Sequence, residues 1–274
     1  MERYALFIDA DGTLISFKGN IPESAKEAIK KAKENGHYAF LSTGRCLPEI
    51  NKSILDIGFD GIIASGGAFV KYGDKVLRNL IFDDDDVAEL KSYFYMNNIS
   101  VSFECGHCLY VSQVYMDTMI QNAELNGLLD NTEFYDFRNI MVPIKEDTLI
   151  HDVTKISFMG SDRQFYEIKN NFSKKYDIID SSMAEFGGEL MHGEIALKNI
   201  HKASAMKLII EELGEDVKTI ALGDSENDVE MLKFADTGIA MGNASDICKS
   251  AADEITDHVN NDGLYKALKA HNLF

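Results

Sequence analysis

The stretch Tyr4-Ala-Leu-Phe-Ile-Asp-Ala-Asp-Gly-Thr13 joins an uninterrupted apolar run to two aspartates and a glycine. Such a run is typical of a strand that is buried on both faces, as in a parallel sheet. Polar residues directly after such a strand lie beyond its carboxyl end, where open parallel sheets bind their ligands. This stretch therefore predicts both a parallel sheet and a ligand site at its edge.

The residues that follow alternate between helical and strand patterns. Pro22 fits the first turn of a helix and Gly36 fits the position after its end. The patterns predict helices over 22–35 and from about Leu47, and strands over 38–42 and 61–65. This β-α-β-α-β order implies a parallel sheet with right-handed crossovers.

The same alternation returns near the C-terminus, where the patterns predict helices over 202–213, 227–235 and 244–252 and strands over 219–222 and 238–241. Between about residues 83 and 189 the pattern changes. Apolar and polar residues alternate over 99–103 and 109–112, which predicts an antiparallel hairpin. We therefore predict an α/β fold: a doubly wound, Rossmann-like parallel-sheet core (residues 1–82 and 189–274) with an inserted α+β domain (residues 83–188).

Composition narrows the classes of function. The chain has 274 residues and a net charge of −18, which excludes a non-specific nucleic-acid binder with a basic face. It has no apolar run of about 20 residues and no signal-peptide pattern, so we expect a cytoplasmic protein without a membrane partner. We expect a monomer or a homodimer. Because the protein is acidic, a site that binds an anion would need local positive charge from a metal ion, a lysine or helix N-termini.

Three of the predicted core strands run into polar turns. The turns are Asp9-Ala-Asp-Gly-Thr13, Ser42-Thr-Gly-Arg45 and Gly223-Asp-Ser-Glu-Asn-Asp228. Any one of them is an ordinary turn sequence. Because the carboxyl ends of parallel strands share one edge of a sheet, all three together predict a functional site there.

The spacing of Asp9 and Asp11 suits phosphoryl chemistry. Residues two apart in extended chain point the same way, so both carboxylates can face one pocket. One carboxylate can attack phosphorus, while the other protonates the leaving oxygen and then activates water. Together with Asp224 they would repel a phosphate, unless a hard cation such as Mg²⁺ lay among them.

These motifs resemble those of the haloacid dehalogenase superfamily. Asp-Ala-Asp-Gly-Thr resembles its first motif, Ser-Thr-Gly-Arg its second and Gly-Asp-Ser-Glu-Asn-Asp its fourth, while Lys202 in Ile-His-Lys-Ala matches the third. Gly-Ile-Ala-Met-Gly-Asn-Ala (238–244) and Asn-Asp-Gly-Leu (261–264) are similar to its Cof-like branch. Members of that branch carry a large cap between the second and third motifs, where the inserted segment lies.

The resemblance implies roles for individual residues. Asp9 is the expected nucleophile and Asp11 the acid and base, and both would bind Mg²⁺, Asp11 through its backbone carbonyl. Asp224 is a further implied metal ligand, with Asp228 binding the metal directly or through its waters. Lys202 is an implied catalytic residue whose charge offsets the aspartates. The implied phosphate-binding residues are Ala10, Thr43, Gly44, Lys202 and Asn227. Arg45 could contact phosphate or form an ion pair that fixes its loop.

The function predicted from this pattern is Mg²⁺-dependent hydrolysis of small phosphorylated metabolites, sugar phosphates or similar, with the cap closing over the substrate. Two alternative functions remain. A phosphosugar mutase or phosphotransferase could use the same nucleophile, and a non-catalytic sensor of phosphorylated metabolites could keep the same fold. Cys105-Gly-His-Cys108 resembles a redox dithiol, but its place between two strand patterns favours a hairpin tip.

Overall fold

The protein is described here by a computed structural model that covers residues 2–16, 19–125, 127, 132–181, 191–214 and 216–274. The chain divides into two compact units. The first consists of Met1–Arg45, Lys52–Asn79 and Ile200–Phe274, and the second of Cys46–Asn51 and Leu80–Asn199.

The described strands and helices follow in chain order. The strands are β1 (Tyr4–Ile8), β2 (Tyr38–Ser42), β3 (Gly61–Ala64), β4 (Phe69–Tyr72), β5 (Lys75–Asn79), β6 (Ser100–Cys105), β7 (Leu109–Val111), β8 (Met141–Pro143), β9 (Val153–Gly160), β10 (Tyr176–Asp180), β11 (Met191–Leu197), β12 (Lys218–Gly223), β13 (Thr237–Ala240) and β14 (Glu254–Ile255). The helices are α1 (Glu23–Glu34), α2 (Lys52–Leu55), α3 (Asp84–Met96), α4 (Gln113–Leu125), α5 (Thr132–Asn139), α6 (Asp162–Phe172), α7 (Lys202–Leu213), α8 (Val229–Phe234), α9 (Asp246–Ala251) and α10 (Gly263–Ala270). Within the described ranges, every helix is too short or too polar to cross a bilayer.

The first unit is built on a sheet with strand order β14-β13-β12-β1-β2-β3-β4-β5. The strands from β14 to β3 are parallel, which confirms the predicted fold class. The hairpin β4–β5, which the patterns did not predict, adds two antiparallel strands at one edge. Its turn contains Gly73 at φ +53°, a backbone angle that glycine adopts without strain.

Register aligns the ends of the central strands. Ile8, the last residue of β1, lies opposite Leu222 on β12 and Leu41 on β2. Below this edge the apolar core is closely packed, with the rings of Phe7 and Phe40 stacked 5.1 Å apart. Truncating either ring to alanine would lower the free energy of unfolding by about 3–5 kcal/mol. A rigid sheet therefore carries the loops in which the predicted site residues lie.

The second unit has a mostly antiparallel sheet with strand order β10-β11-β9-β6-β7-β8. The antiparallel pairing of β6 with β7 confirms the predicted hairpin and its tip at Cys105–Cys108. One face of the sheet is apolar: it packs Phe103 and Phe158 against Phe94 of α3 and Phe165 of α6. This arrangement is an α+β domain, as the alternation in this region predicts.

The segment after the second motif departs from the predicted helix near Leu47. A 3-10 turn forms at Leu47–Glu49 instead, and the one-turn helix α2 follows. The turn is capped locally, because the Cys46 amide donates to the Glu49 carboxylate at 2.8 Å. Cys46 is fully buried among residues of the second unit, and the 3-10 turn belongs to that unit, whereas α2 belongs to the first.

The domain boundaries taken from the pattern shift stay a prediction. The first, between residues 82 and 83, lies near the division at Asn79 and Leu80. The second, between residues 188 and 189, lies outside the described residues. β11 belongs to the second unit because it pairs with β9 and β10.

Candidate active site

Motif loops lie beyond the carboxyl ends of β1, β2 and β12. The amide of Asp9 donates to the Leu222 carbonyl at 3.0 Å and so continues the parallel ladder by one residue. The amide of Thr43 continues the next ladder by donating to the Ile63 carbonyl at 2.8 Å. Asp224 directly follows β12. Strand register therefore brings the first, second and fourth motifs to one edge.

Lys202 connects these loops to α7. It is the first residue of that helix and only 1% exposed. Its Nζ lies 2.6 Å from Oδ1 of Asp9, 2.6 Å from Oδ1 of Asp228 and 3.1 Å from Oδ1 of Asn227. Four residues that the sequence predicts for the site therefore meet at one ammonium group.

Buried carboxylates outnumber the cation beside them. Asp9, Asp224 and Asp228 are at most 5% exposed, and one oxygen of each lies within 4.8 Å of the others. Oδ1 of Asp224 is buried, and no group in the described part of the chain forms a hydrogen bond with it. Buried polar atoms are seldom left without one. An all-oxygen set with an unpartnered atom fits a hard divalent cation.

The pKa values report the same excess of negative charge. Burial and the Asp228 carboxylate raise the pKa of Asp9 to about 7. Burial and Asp9 raise the pKa of Asp224 to about 9. Burial opposes the charged form of Lys202, but Asp228 and Asp9 raise its pKa. A bound cation would favour the ionised carboxylates and reverse these rises.

Gly12 allows the first and fourth motif loops to approach closely. Its φ is +80°, and a Cβ added there would lie 2.0 Å from Oδ2 of Asp224. Any side chain at this position would displace the carboxylate. The glycine is therefore required by both the turn and the neighbouring loop.

Arg45 holds the side chain of Asp11. Its Nε donates to Oδ2 at 2.9 Å and its Nη2 to Oδ1 at 2.6 Å, a bidentate pair. The amide of Arg45 donates to Oγ1 of Thr43 at 3.1 Å. Arg45 therefore forms an ion pair, and its contact with phosphate stays a prediction. Arg45 thus links the predicted acid and base to the predicted phosphate-binding loop.

The remaining predicted residues have structural partners in these loops. The Ala10 carbonyl accepts the amides of Leu14 and Ile15 at 2.9 and 2.7 Å. Oδ2 of Asp228 accepts the amides of Asp224 and Ser225 at 3.0 and 3.1 Å. Gly44 lies between Thr43 and Arg45, next to this network. The roles given to these residues stay predictions.

Sequence reasoning gave no role to Asn243. It lies in the stretch 238–244 that resembles the Cof-like branch, yet only the structure shows that its side chain reaches Gly12 and Asp224. A side-chain bridge between segments more than 200 residues apart leaves no spacing signal in one sequence.

A family model of haloacid dehalogenase-like hydrolases matches residues 6–268. The chain belongs to this family, which confirms the predicted family and that the protein is an enzyme, a hydrolase.

Two relatives illustrate the range of substrates named for proteins similar to this chain. A 5-amino-6-(5-phospho-D-ribitylamino)uracil phosphatase of Bacillus subtilis is 26% identical over 96% of this chain and 93% of its own. A phosphoglycolate phosphatase of Methanobrevibacter smithii is 25% identical over 97% of each chain.

The fold is similar to solved structures of the same family. A sugar phosphatase of subclass IIB is 26% identical, superposes with a TM-score of 0.81 and is matched over 99% of its length and 98% of this chain. The likeness therefore covers both compact units.

Proposed function

We propose that this hydrolase is a Mg²⁺-dependent phosphatase of small phosphorylated metabolites that forms an aspartyl-phosphate on Asp9. Its class, a phosphoric monoester hydrolase, is confirmed by the family and by relatives named as phosphatases. The observation that carries the finer proposal is the contact of Asp9 with Lys202 within a buried carboxylate cluster at the edge of the sheet.

In the proposed chemistry Asp9 and Lys202 act from the positions that the structure gives them, and Asp11 leaves its ion pair with Arg45 to act as the acid. A carboxylate oxygen of Asp9 attacks phosphorus, and the bond from phosphorus to the leaving oxygen breaks. Asp11 donates a proton to that oxygen and later takes one from the attacking water. Lys202 offsets charge on the phosphoryl oxygens, as a preorganised cation in a buried site does. Thr43 and Asn227 are proposed to orient those oxygens.

The residues proposed to hold Mg²⁺ are Asp9, Asp224, Asp228 and the backbone carbonyl of Asp11. Bound there, the ion would neutralise charge on the phosphoryl group. Asp228 also holds Lys202 and two backbone amides, so its second function is to fix the fourth-motif loop.

The substrate class is proposed from chemistry that the relatives share. The substrates in the names of these relatives differ in the alcohol but share a phosphomonoester on a small polar molecule. We propose that the second unit is a cap that selects among such alcohols. His107, at the tip of the β6–β7 hairpin, offers a test: His107→Ala should change the ranking of natural substrates but not the rate with p-nitrophenyl phosphate.

The test of the proposed function is phosphate release from a panel of phosphorylated metabolites. With Mg²⁺ we expect turnover of at least one small phosphomonoester, and none with a chelator. Ca²⁺ should inhibit, because it favours looser and higher coordination. Full activity in chelator would refute the metal. Transfer of the phosphoryl group to a sugar hydroxyl in the presence of a bisphosphorylated activator would indicate a mutase. Binding of a metabolite without turnover would indicate a sensor.

A further inference from the structure

Asn243 bridges the loops that carry the proposed metal ligands. It lies after β13, and its Nδ2 donates to the Gly12 carbonyl at 2.8 Å and to Oδ2 of Asp224 at 3.3 Å. Its Oδ1 accepts the amide of Val259 at 2.9 Å. One side-chain amide thus joins the first motif, the fourth motif and the segment before α10.

The side-chain amide of Asn243 forms a hydrogen bond with one carboxylate oxygen of Asp224 and none with the other. Oδ2 of Asp224 takes the hydrogen bond and lies where Gly12 has no side chain, while Oδ1 is buried and has no hydrogen-bond partner among the described residues. A second contact fixes the backbone, because the Ser245 amide donates to the Asp224 carbonyl at 2.9 Å. The stretch 243–245 therefore sets both the position and the rotation of this carboxylate.

The neutrality of the amide suits this place. A lysine or arginine at 243 would compete with a metal ion for the carboxylate, whereas an amide donates without adding positive charge. Its bond to the Gly12 carbonyl also fixes the Gly12–Thr13 peptide, which is one peptide beyond the carbonyl of Asp11. Groups that orient metal ligands in this way usually change metal affinity about 10- to 100-fold when removed.

We propose that Asn243 is a positioning residue that holds Asp224 and the backbone at Gly12, next to the Asp11 carbonyl, in the arrangement that binds the divalent cation. This inference rests on the proposed function for the identity of the site. Asn243 contacts neither the phosphoryl group nor the nucleophile in this account. Its effect should therefore appear in metal affinity rather than in the rate at saturating metal.

The test compares Asn243→Ala with Asn35→Ala. Asn35 is a matched control, because its amide also makes a hydrogen bond between distant segments, to the Leu273 carbonyl at 2.9 Å, away from the motif loops. Mn²⁺ binding is measured without substrate from the signal of free Mn²⁺ in electron paramagnetic resonance. Thermal unfolding without metal is measured alongside it.

We expect Asn243→Ala to weaken Mn²⁺ binding at least about tenfold, and Asn35→Ala to leave it unchanged. With p-nitrophenyl phosphate, kcat at saturating Mg²⁺ should stay within about threefold of the wild-type value, while the Mg²⁺ concentration for half-maximal activity rises. If Asn243→Ala does not fold, Asn243→Ser keeps a small acceptor for Val259 and serves in its place.

Unchanged Mn²⁺ affinity in a folded Asn243 variant would overturn the inference, even if that variant melted at a lower temperature. So would a wild-type chain that binds no Mn²⁺. A wild-type chain that binds Mn²⁺ but releases no phosphate would instead refute the proposed function, and the affinity comparison would still decide the role of Asn243.

Discussion

Each compact unit contains a buried lysine held between two carboxylates. In the first unit Lys202 contacts Asp9 and Asp228, both at 2.6 Å. In the second unit Nζ of Lys155 lies 3.0 Å from Glu194 and 3.3 Å from Glu104. In both clusters a buried lysine faces two carboxyl groups, although the contacts of Lys155 are longer and Glu194 is partly exposed.

Their places in the fold differ. Lys155 lies within β9, directly opposite Glu104 on β6, so strand register fixes this pair. Glu194 is on the neighbouring strand β11. Cross-strand pairs of opposite charge are an ordinary way to stabilise a sheet.

The partners of Lys202 lie in loops beyond the strands, next to Asp224 and Gly12. The comparison teaches that a buried ion pair with shifted pKa values does not define an active site. Its position at the carboxyl ends of parallel strands, with loops from distant segments converging on it, does. We therefore expect the Lys202 cluster to control catalysis and the Lys155 cluster to control stability.

The largest expected effect is that of Asp9→Asn, which keeps the shape of the side chain but removes the nucleophile. Hydrolysis of p-nitrophenyl phosphate should fall at least ~10³-fold. Asp236→Asn is the control, because Asp236 binds the backbone and hydroxyl of Thr219 away from the motif loops. A rate within tenfold of wild type for Asp9→Asn would contradict the mechanism.

The second prediction compares the replacement of each of the two lysines by methionine. Lys202→Met should lower kcat about 10²- to 10³-fold, because a preorganised cation is lost from the phosphoryl site. Above pH 8, where Glu104 is ionised, Lys155→Met should lower the free energy of unfolding by about 3–5 kcal/mol, because Glu104 and Glu194 lose their counter-charge. Its kcat, measured where the chain is folded, should stay within about threefold of wild type.

If Lys155→Met does not fold, Lys155→Met combined with Glu104→Gln and Glu194→Gln removes all three charges together. Activity in that variant would support the comparison. A loss of kcat as large as that of Lys202→Met, in a folded protein, would show that both clusters are catalytic.

A smaller effect is expected at Arg45, which pairs with Asp11 through two hydrogen bonds. Arg45→Lys keeps the charge but not the bidentate geometry, so kcat/KM should fall about tenfold. Arg163→Lys is the matched control, because Arg163 pairs with Glu167 on the exposed surface of α6. Equal rates for both variants would mean that the geometry of the Arg45 pair has no part in catalysis.

The last predicted effect concerns stability rather than rate, and it follows from pH and the second cluster. Burial raises the pKa of Glu104 to about 8 from its ordinary value of 4.5. Between these pH values the folded state binds more protons than the unfolded state, so the free energy of unfolding falls as the pH rises. Glu104→Gln should flatten this dependence by an amount on the order of 1–3 kcal/mol between pH 5 and 8. Urea unfolding at several pH values measures it, and an unchanged slope would contradict the assignment to Glu104.

Much of the first unit could be predicted, because its signals are local. A continuous apolar run predicts each buried parallel strand, and the turn after it predicts which residues lie at the sheet edge. The helix over 202–213 and the strand at 38–42 agree with the structure for the same reason. The contact of Lys202 with Asp9 follows from the family resemblance rather than from any local pattern.

Non-local features were not predictable from one sequence. The structure has a 3-10 turn where the pattern predicts a helix from about Leu47, because Cys46 is buried in the second unit. Asn243 reaches Gly12 across 231 positions of the chain. The pairing of Lys155 with Glu194 depends on the register of β9 and β11, which alternation alone does not set.

The central claim is that Asp9 becomes covalently phosphorylated, and trapping the acyl phosphate tests it most directly. Asp11→Asn should slow the hydrolysis of the intermediate, so this variant is mixed with substrate and Mg²⁺, quenched in acid and reduced with borohydride. Reduction converts an aspartyl-phosphate to homoserine, which mass spectrometry of the digested chain locates. We predict homoserine at position 9 only. Its absence there while phosphate is released, or its appearance at another aspartate, would contradict the account.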